Sequence, residues 1–199
     1  MSDVPLHQHA LLSDCGSAAL VTAGGSVDWL CLPRFDSPSV LARLLDDDAG
    51  HFRIAPAGPG STSTWRYRPS SLVLDTTWSG PDGDLLVTDA MALGARERGH
   101  ELGLGAPGVL MRQVRCLRGE VTVSVDFVPR PEFGLVHPRL TLTDGAVVAD
   151  GGAGILVLST DMELEVAEAR ASGTVRLHAG QDLTFALEQC DAWGPRAKR

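Results

Sequence analysis

Lysine is nearly missing from this sequence: of its 17 basic residues only Lys198 is a lysine, the others being arginine. The arginines form no stripe, and 25 acidic residues outnumber the basic ones for a net charge of −8, so a polyanion would be repelled and no nucleic-acid partner is expected. No apolar run approaches the roughly 18 to 20 residues of a membrane-spanning helix, and no membrane partner is expected either. The segment MSDVPLHQHALLSDC has no basic stretch followed by an apolar block, which makes the cytoplasm the expected location. The four cysteines, Cys15, Cys31, Cys116 and Cys190, show no Cys-x-x-Cys spacing. In a reducing compartment such scattered thiols are buried small hydrophobes, and no disulfide is expected. Gly103-Leu104-Gly105 has no helix after it to complete a phosphate cradle, and no serine or cysteine sits in a nucleophile's setting, Cys15 and Cys31 reading as inert thiols in strand-like, apolar surroundings.

Helical periodicity and internal repeats are scarce as well. What is present, from end to end, is alternation of apolar and polar positions, the period of strands with one buried face. Val121, Val123, Val125 and Phe127 point one way while Thr122, Ser124 and Asp126 point the other. Turn pairs such as Gly24-Gly25, Asp82-Gly83, Asp144-Gly145 and Gly151-Gly152 separate the runs. A chain of 199 residues built this way predicts an all-β fold, a large antiparallel β-sandwich of two packed sheets and roughly 10 to 13 strands. One short helix is predicted near residues 38–46, with Ser37 as cap, Pro38 in the first turn and Val40, Leu41, Leu44 and Leu45 as its apolar stripe. Segments 57–63 and 94–108, rich in small and breaking residues, read as surface loops.

The densest cluster of chemistry is Gly24 to Val40, GGSVDWLCLPRFDSPSV. A hairpin about Gly24-Gly25 would put Val27, Trp29 and Cys31 on one face of its second strand and Asp28, Leu30 and Leu32 on the other. Pro33 would end the ladder, leaving Arg34-Phe35-Asp36 at the edge between the hairpin and the predicted helix, held on both sides by rigid elements and able to present polar groups. Packing of Trp29 and Phe35 with a local Arg34–Asp36 ion pair is the competing reading.

The residues themselves carry a resemblance. Ala10-Leu11-Leu12-Ser13-Asp14-Cys15, Gly25 to Pro38, and Gly50-His51-Phe52-Arg53-Ile54-Ala55-Pro56, followed in order by Leu72 to Thr76, Val87-Thr88-Asp89-Ala90-Met91 and Phe127 to Gly134, resemble the amino-terminal domain of bacterial family 15 glycoside hydrolases, the trehalase-like and glucoamylase-like enzymes. The resemblance implies that residues 1–199 form a single β-sandwich domain. It implies further that hydrolysis belongs to a separate (α/α)6 barrel, with two glutamates that invert the anomeric centre, following at about Gln189 to Arg196. That barrel is not present in the sequence, so no catalytic residue is assigned and the chain alone is expected to be inactive. Asp28, Trp29, Arg34, Phe35 and Asp36 would then form the domain interface at the edge of the sugar pocket, with Trp29 as anchor, Phe35 as plug and Arg34 and Asp36 as polar groups. The partner would be the catalytic barrel, in cis or in trans, with self-association of the exposed surface as a further outcome. The substrate of the intact enzyme would be an α-glucoside, trehalose first.

No cofactor is expected, and no metal: His7-Gln8-His9 lacks a third ligand, and His51 reads as a strand residue. Asp46-Asp47-Asp48 reads as a solvated turn. Trp65, Trp78 and Trp193 could stack on sugars in a stand-alone carbohydrate-binding module, though tryptophans in sandwiches mostly fill the core.

Overall fold

The computed structural model describes residues 4–190. Apart from two one-turn 3-10 helices, Leu6–Gln8 and Gly99–Glu101, its regular structure is all strand. In chain order these are β1 (His9–Ser13), β2 (Ala18–Thr22), β3 (Ser26–Cys31), β4 (Ser39–Leu41), β5 (His51–Pro56), β6 (Thr62–Tyr67), β7 (Leu74–Ser79), β8 (Gly83–Met91), β9 (Leu110–Val128), β10 (Arg139–Thr143), β11 (Ala146–Asp150), β12 (Ile155–Thr160), β13 (Glu165–Ala167), β14 (Arg170–His178) and β15 (Asp182–Cys190). They make one antiparallel sheet of 15 strands, more than the sequence count. β9 doubles it over: residues 110–119 pair with β8 and β15, residues 120–128 with β5 and β14. Gly119, at φ 66°, sits where the strand changes layer. One layer runs β1-β2-β3-β5-β9-β14-β13, with β4 on β3, and the other runs β6-β7-β8-β9-β15-β12-β11-β10.

The two layers enclose a common core. Phe52 of β5 meets Phe127 edge-on at 5.4 Å and Phe185 of β15 at 6.0 Å, contacts that add about 0.5–1.5 kcal/mol each beyond area burial. Arg112 of β9 is fully buried among them. It donates to Asp89 Oδ1 at 2.8 Å, to the Phe52 carbonyl at 2.6 Å and to the Gly25 carbonyl at 2.8 Å, and lies 4.7 Å from the Phe52 ring centre. One guanidinium thus ties β8 and β9 of one layer to β5 and the β2–β3 turn of the other.

Two sequence expectations need correction. Residues 38–46 form no helix. Ser39–Leu41 instead pairs with β3, Leu30 opposite Leu41 and Cys31 opposite Ser39, and Asp46 closes a turn by accepting from the Asp48 N–H. A two-turn helix is marginal without tertiary support, whereas strand pairing here buries Val40, Leu41 and Ala42 together. The alternation along β3 also breaks. Val21 faces Val27 while Leu20 faces Trp29, so Asp28 is the extra residue of a β-bulge. The bulge puts Val27, Leu30 and Leu32 all in the core.

Edge strand β1 shows how the open side of the sandwich is closed. The Tyr67 hydroxyl, on edge strand β6 of the other layer, accepts from the Leu11 N–H at 2.7 Å and donates to the Leu11 carbonyl at 2.9 Å. It occupies the outward backbone pair that a foreign strand would otherwise take. Tyr67→Phe lowers stability by about 1 kcal/mol and lets the protein associate with concentration, readable by urea titration and by sedimentation.

Candidate functional site

The loops of one end of the sandwich meet around Arg34-Phe35-Asp36. The β1–β2 turn is folded by Asp14, whose buried Oδ1 accepts from Gly16 and Ser17 N–H at 2.9 and 2.6 Å. The Phe35 N–H donates to the Gly16 carbonyl at 3.0 Å, and Ser17 Oγ donates to the Cys31 carbonyl, fixing the β3–β4 loop to that turn. The β9–β10 loop joins from the other side, Phe133 N–H donating to Ser39 at 3.2 Å and its ring standing 6.4 Å from that of Trp29. Glu132 and Phe133, both at positive φ (57° and 59°), give this loop its sharp turn, a conformation that non-glycine residues hold only where surroundings impose it. Glu132 Oε1 accepts from the Ala153 N–H at 3.1 Å, drawing in the β11–β12 loop.

The sequence-predicted site residues divide. Asp28 is not presented to a partner: it is buried at its bulge, accepts from Ser26 Oγ, and lies 3.6 Å from the buried His9 imidazole. Trp29 is half-buried. Arg34 and Asp36 pair with each other at 2.9 Å with both side chains 73% exposed, the local ion pair of the competing reading. Arg34's hydrogen bond, first, and its charge hold the Asp36 carboxyl below the usual range. So exposed a pair adds little stability. Phe35 is 56% exposed, too open for a core residue.

Sequence reasoning missed the rest of this surface. Leu104 and Leu135 are 82% and 83% exposed, and Leu102 and Phe133 are also uncovered. Leu102 and Leu104 lie on the 94–108 loop, which reaches the same end: a Cβ on Gly103 would run into Cys15 at 2.5 Å. The available signal was leucine inside segments with no strand period, where a domain's own core has no use for it. Cys190 lies at this end too, paired with Ile155 just after the β11–β12 loop.

Comparison with known proteins reads this surface in a family context. Residues 1–187 match the family model described as trehalase-like, N-terminal. The chain belongs to that family. It is 34% identical over 200 residues to a trehalase of Mycolicibacterium smegmatis, and 34% identical over 200 residues to a trehalase of Mycobacterium tuberculosis, each alignment covering 92% of the chain. Trehalase 1 of Sulfolobus acidocaldarius is 31% identical over 66% of the chain. The chain spans only 30% and 29% of the length of the two mycobacterial relatives, in keeping with an N-terminal domain of a larger trehalase-like hydrolase.

Within this trehalase-like domain the remaining candidates fall into structural roles. The Trp78 ring is buried against Gly25, and Trp65 packs partly on the core; Trp193 lies outside the described residues. His51 Nε2 donates to Asp126 Oδ2 at 2.9 Å, and Asp126 also accepts from Arg170 at 2.6 Å. Burial pushes the Asp126 carboxyl up, and His51 and Arg170 together outweigh it to hold it below its usual range. Burial pushes the Cys31 thiol up against a weaker hydrogen bond with Trp29, as suits an inert thiol. Cys15, expected in an apolar strand, is exposed in the β1–β2 turn at φ 70°. No group of three or more His, Cys, Asp or Glu among the described residues is arranged to hold a metal, and no described helix is long and apolar enough to cross a membrane. A depression of about 590 Å³ lined by residues 142–147 and 160–164 lies at the opposite end, away from the apolar loops.

Proposed function

We propose that residues 1–199 form one non-catalytic β-sandwich domain of a family 15 trehalase-like or glucoamylase-like hydrolase of the cytoplasm. Its loop-bearing end packs on the catalytic (α/α)6 barrel, with Trp29, Arg34, Phe35 and Asp36 at the edge of the sugar pocket. The intact enzyme hydrolyses α-glucosidic bonds, trehalose to glucose first. The observation that carries this reading is the gathering, at one end, of the exposed Phe35, Leu104, Phe133 and Leu135. Uncovered apolar side chains gathered in one place mark an interaction surface, and the relatives are more than three times as long as the matched segment.

The test is a domain exchange. This chain replaces its 200-residue counterpart in the Mycolicibacterium smegmatis trehalase, and glucose release from trehalose is measured. The chimera is expected to be active, and Leu135→Asp to reduce its activity at least tenfold, the scale of losing an interface anchor of about 1.4 kcal/mol or more. A chimera whose two parts both melt normally yet is inactive, or one indifferent to Leu135→Asp, overturns the reading. So does trehalose hydrolysis by the isolated chain that one Asp or Glu substitution abolishes.

A carbohydrate-binding module remains the second reading, resting on half-buried Trp65, since Trp78 is buried and Trp193 lies outside the described residues. A saturable change of tryptophan fluorescence with trehalose or maltose, lost in Trp65→Ala, would favour it.

A further inference from the structure

We propose that residues 94–108 are a preformed docking lobe whose exposed leucines, Leu102 and Leu104, seat on the catalytic domain, and that Glu97 is the positioning residue that shapes it. This deepens the docking reading and rests on it. The segment links β8 to β9 and contains no strand. Its fold is organised around one side chain. Glu97 Oε2 accepts from the Gly103 N–H at 2.7 Å, Oε1 accepts from the Gly105 N–H at 2.5 Å, and the Gly94 N–H bonds the same carboxylate. The Gly103 bond, ahead of an opposing effect of burial, and those from Gly105 and Gly94 hold the carboxyl below its usual range.

The glycines follow from that carboxylate. A Cβ on Gly105 would lie 2.8 Å from Glu97 Oε1, and one on Gly94 would lie 2.6 Å from the carboxyl carbon. Gly103, at φ 87°, is pressed against Asp14 and Cys15 and seats the lobe on the β1–β2 turn. Yet the lobe buries neither of its leucines: Leu104 is among the most exposed apolar side chains described, and Leu102 is open. A loop held in one shape by a polar keystone while it offers leucine to water is built for contact outside its own domain.

The catalytic portion is the occupant that fits. The lobe approaches the β3–β4 loop, Gly108 lying near the Pro33 carbonyl. The β1–β2 turn on which Gly103 sits also holds Phe35, whose N–H donates to the Gly16 carbonyl. Leu104 thereby extends the apolar surface of Phe35, Phe133 and Leu135, and the relatives are more than three times as long as the matched segment.

Glu97→Gln and Leu104→Asp are compared in the chimera, with Leu142→Asp, half exposed at the opposite end, as control; amide hydrogen exchange is followed in the isolated full chain. Glu97→Gln is expected to speed exchange at Gly103 and Gly105 about tenfold or more, to leave the melting temperature of the isolated chain nearly unchanged, and to weaken trehalose hydrolysis about tenfold. Leu104→Asp is expected to weaken hydrolysis similarly without changing exchange, and Leu142→Asp to change neither. If Leu104→Asp impairs the chimera and Glu97→Gln does not, the role of Glu97 is overturned and the lobe's docking stands. If neither impairs it while Leu135→Asp does, the lobe is overturned and the wider docking end stands. If Leu104→Asp instead disperses a dimer of the isolated chain and spares hydrolysis, the occupant is a second copy and the assignment fails.

Discussion

Arg112→Ala lowers the stability of the sandwich by about 3–5 kcal/mol, the range for breaking a buried ion pair from one side. The reason is local. Asp89 is fully buried beneath Arg112, and without the guanidinium its charge has lost its counter-ion in a site closed to water. The carbonyls of Phe52 and Gly25 lose their side-chain donors at the same time, and the space over the Phe52 ring empties. Urea titration followed by tryptophan fluorescence reads the loss as a lower midpoint with unchanged slope. The pair Arg112→Met with Asp89→Leu recovers most of the loss, because two apolar side chains fill the site without a stranded charge. A single substitution that costs under about 1 kcal/mol would mean that Asp89 finds water or another donor, contrary to its burial.

Gly25→Ala costs about 2–4 kcal/mol, from a left-handed backbone and an overpacked contact together. Gly25 has φ 74°, and a methyl there would strike the Ile54 carbonyl and lie 2.9 Å from the Trp78 ring. Neither neighbour can retreat. Ile54 is paired in the sheet with Val125, and Trp78 is packed in the core. Gly58→Ala is the control, since it has φ 85° but nothing near its would-be methyl, so it carries the backbone cost of about 1–2 kcal/mol alone. Parallel melts of the two variants separate crowding from conformation; equal costs would mean that the layers can part at Gly25 without penalty.

Much of the fold is legible from side-chain period. β8 alternates buried and half-buried along its whole length, and Val121, Val123, Val125 and Phe127 face inward as their spacing requires. The misses are places where a distant partner overrides a local pattern. Val40, Leu41, Leu44 and Leu45 have helical spacing, but β3 was there to pair with Ser39–Leu41, and Leu45 ends up exposed. The bulge at Asp28 leaves no mark on the sequence, because an extra residue shows only against the strand opposite. Arg112 was readable in principle: it stands in the same phase as Leu110, Val114 and Cys116, all buried, so a charge in an apolar phase signalled a buried pair. Of the site, Pro33 and the hairpin pointed to a loop at Arg34-Phe35-Asp36, and these side chains are exposed, but the element that follows the loop is strand β4 and not a helix. Leu104 and Leu135 had no such pointer, since loop conformation has no period from which to read exposure.

The doubling of β9 ties the fate of the layers together. A strand with neighbours in both halves leaves neither half able to melt while the other stays intact, so loss of order is expected to be all-or-none despite the breadth of the sheet. It also makes assembly slow, because β9 must collect β5, β8, β14 and β15 from both directions along the chain before either half is complete. A platform that cannot come apart piecewise is a steady base on which to seat a second body.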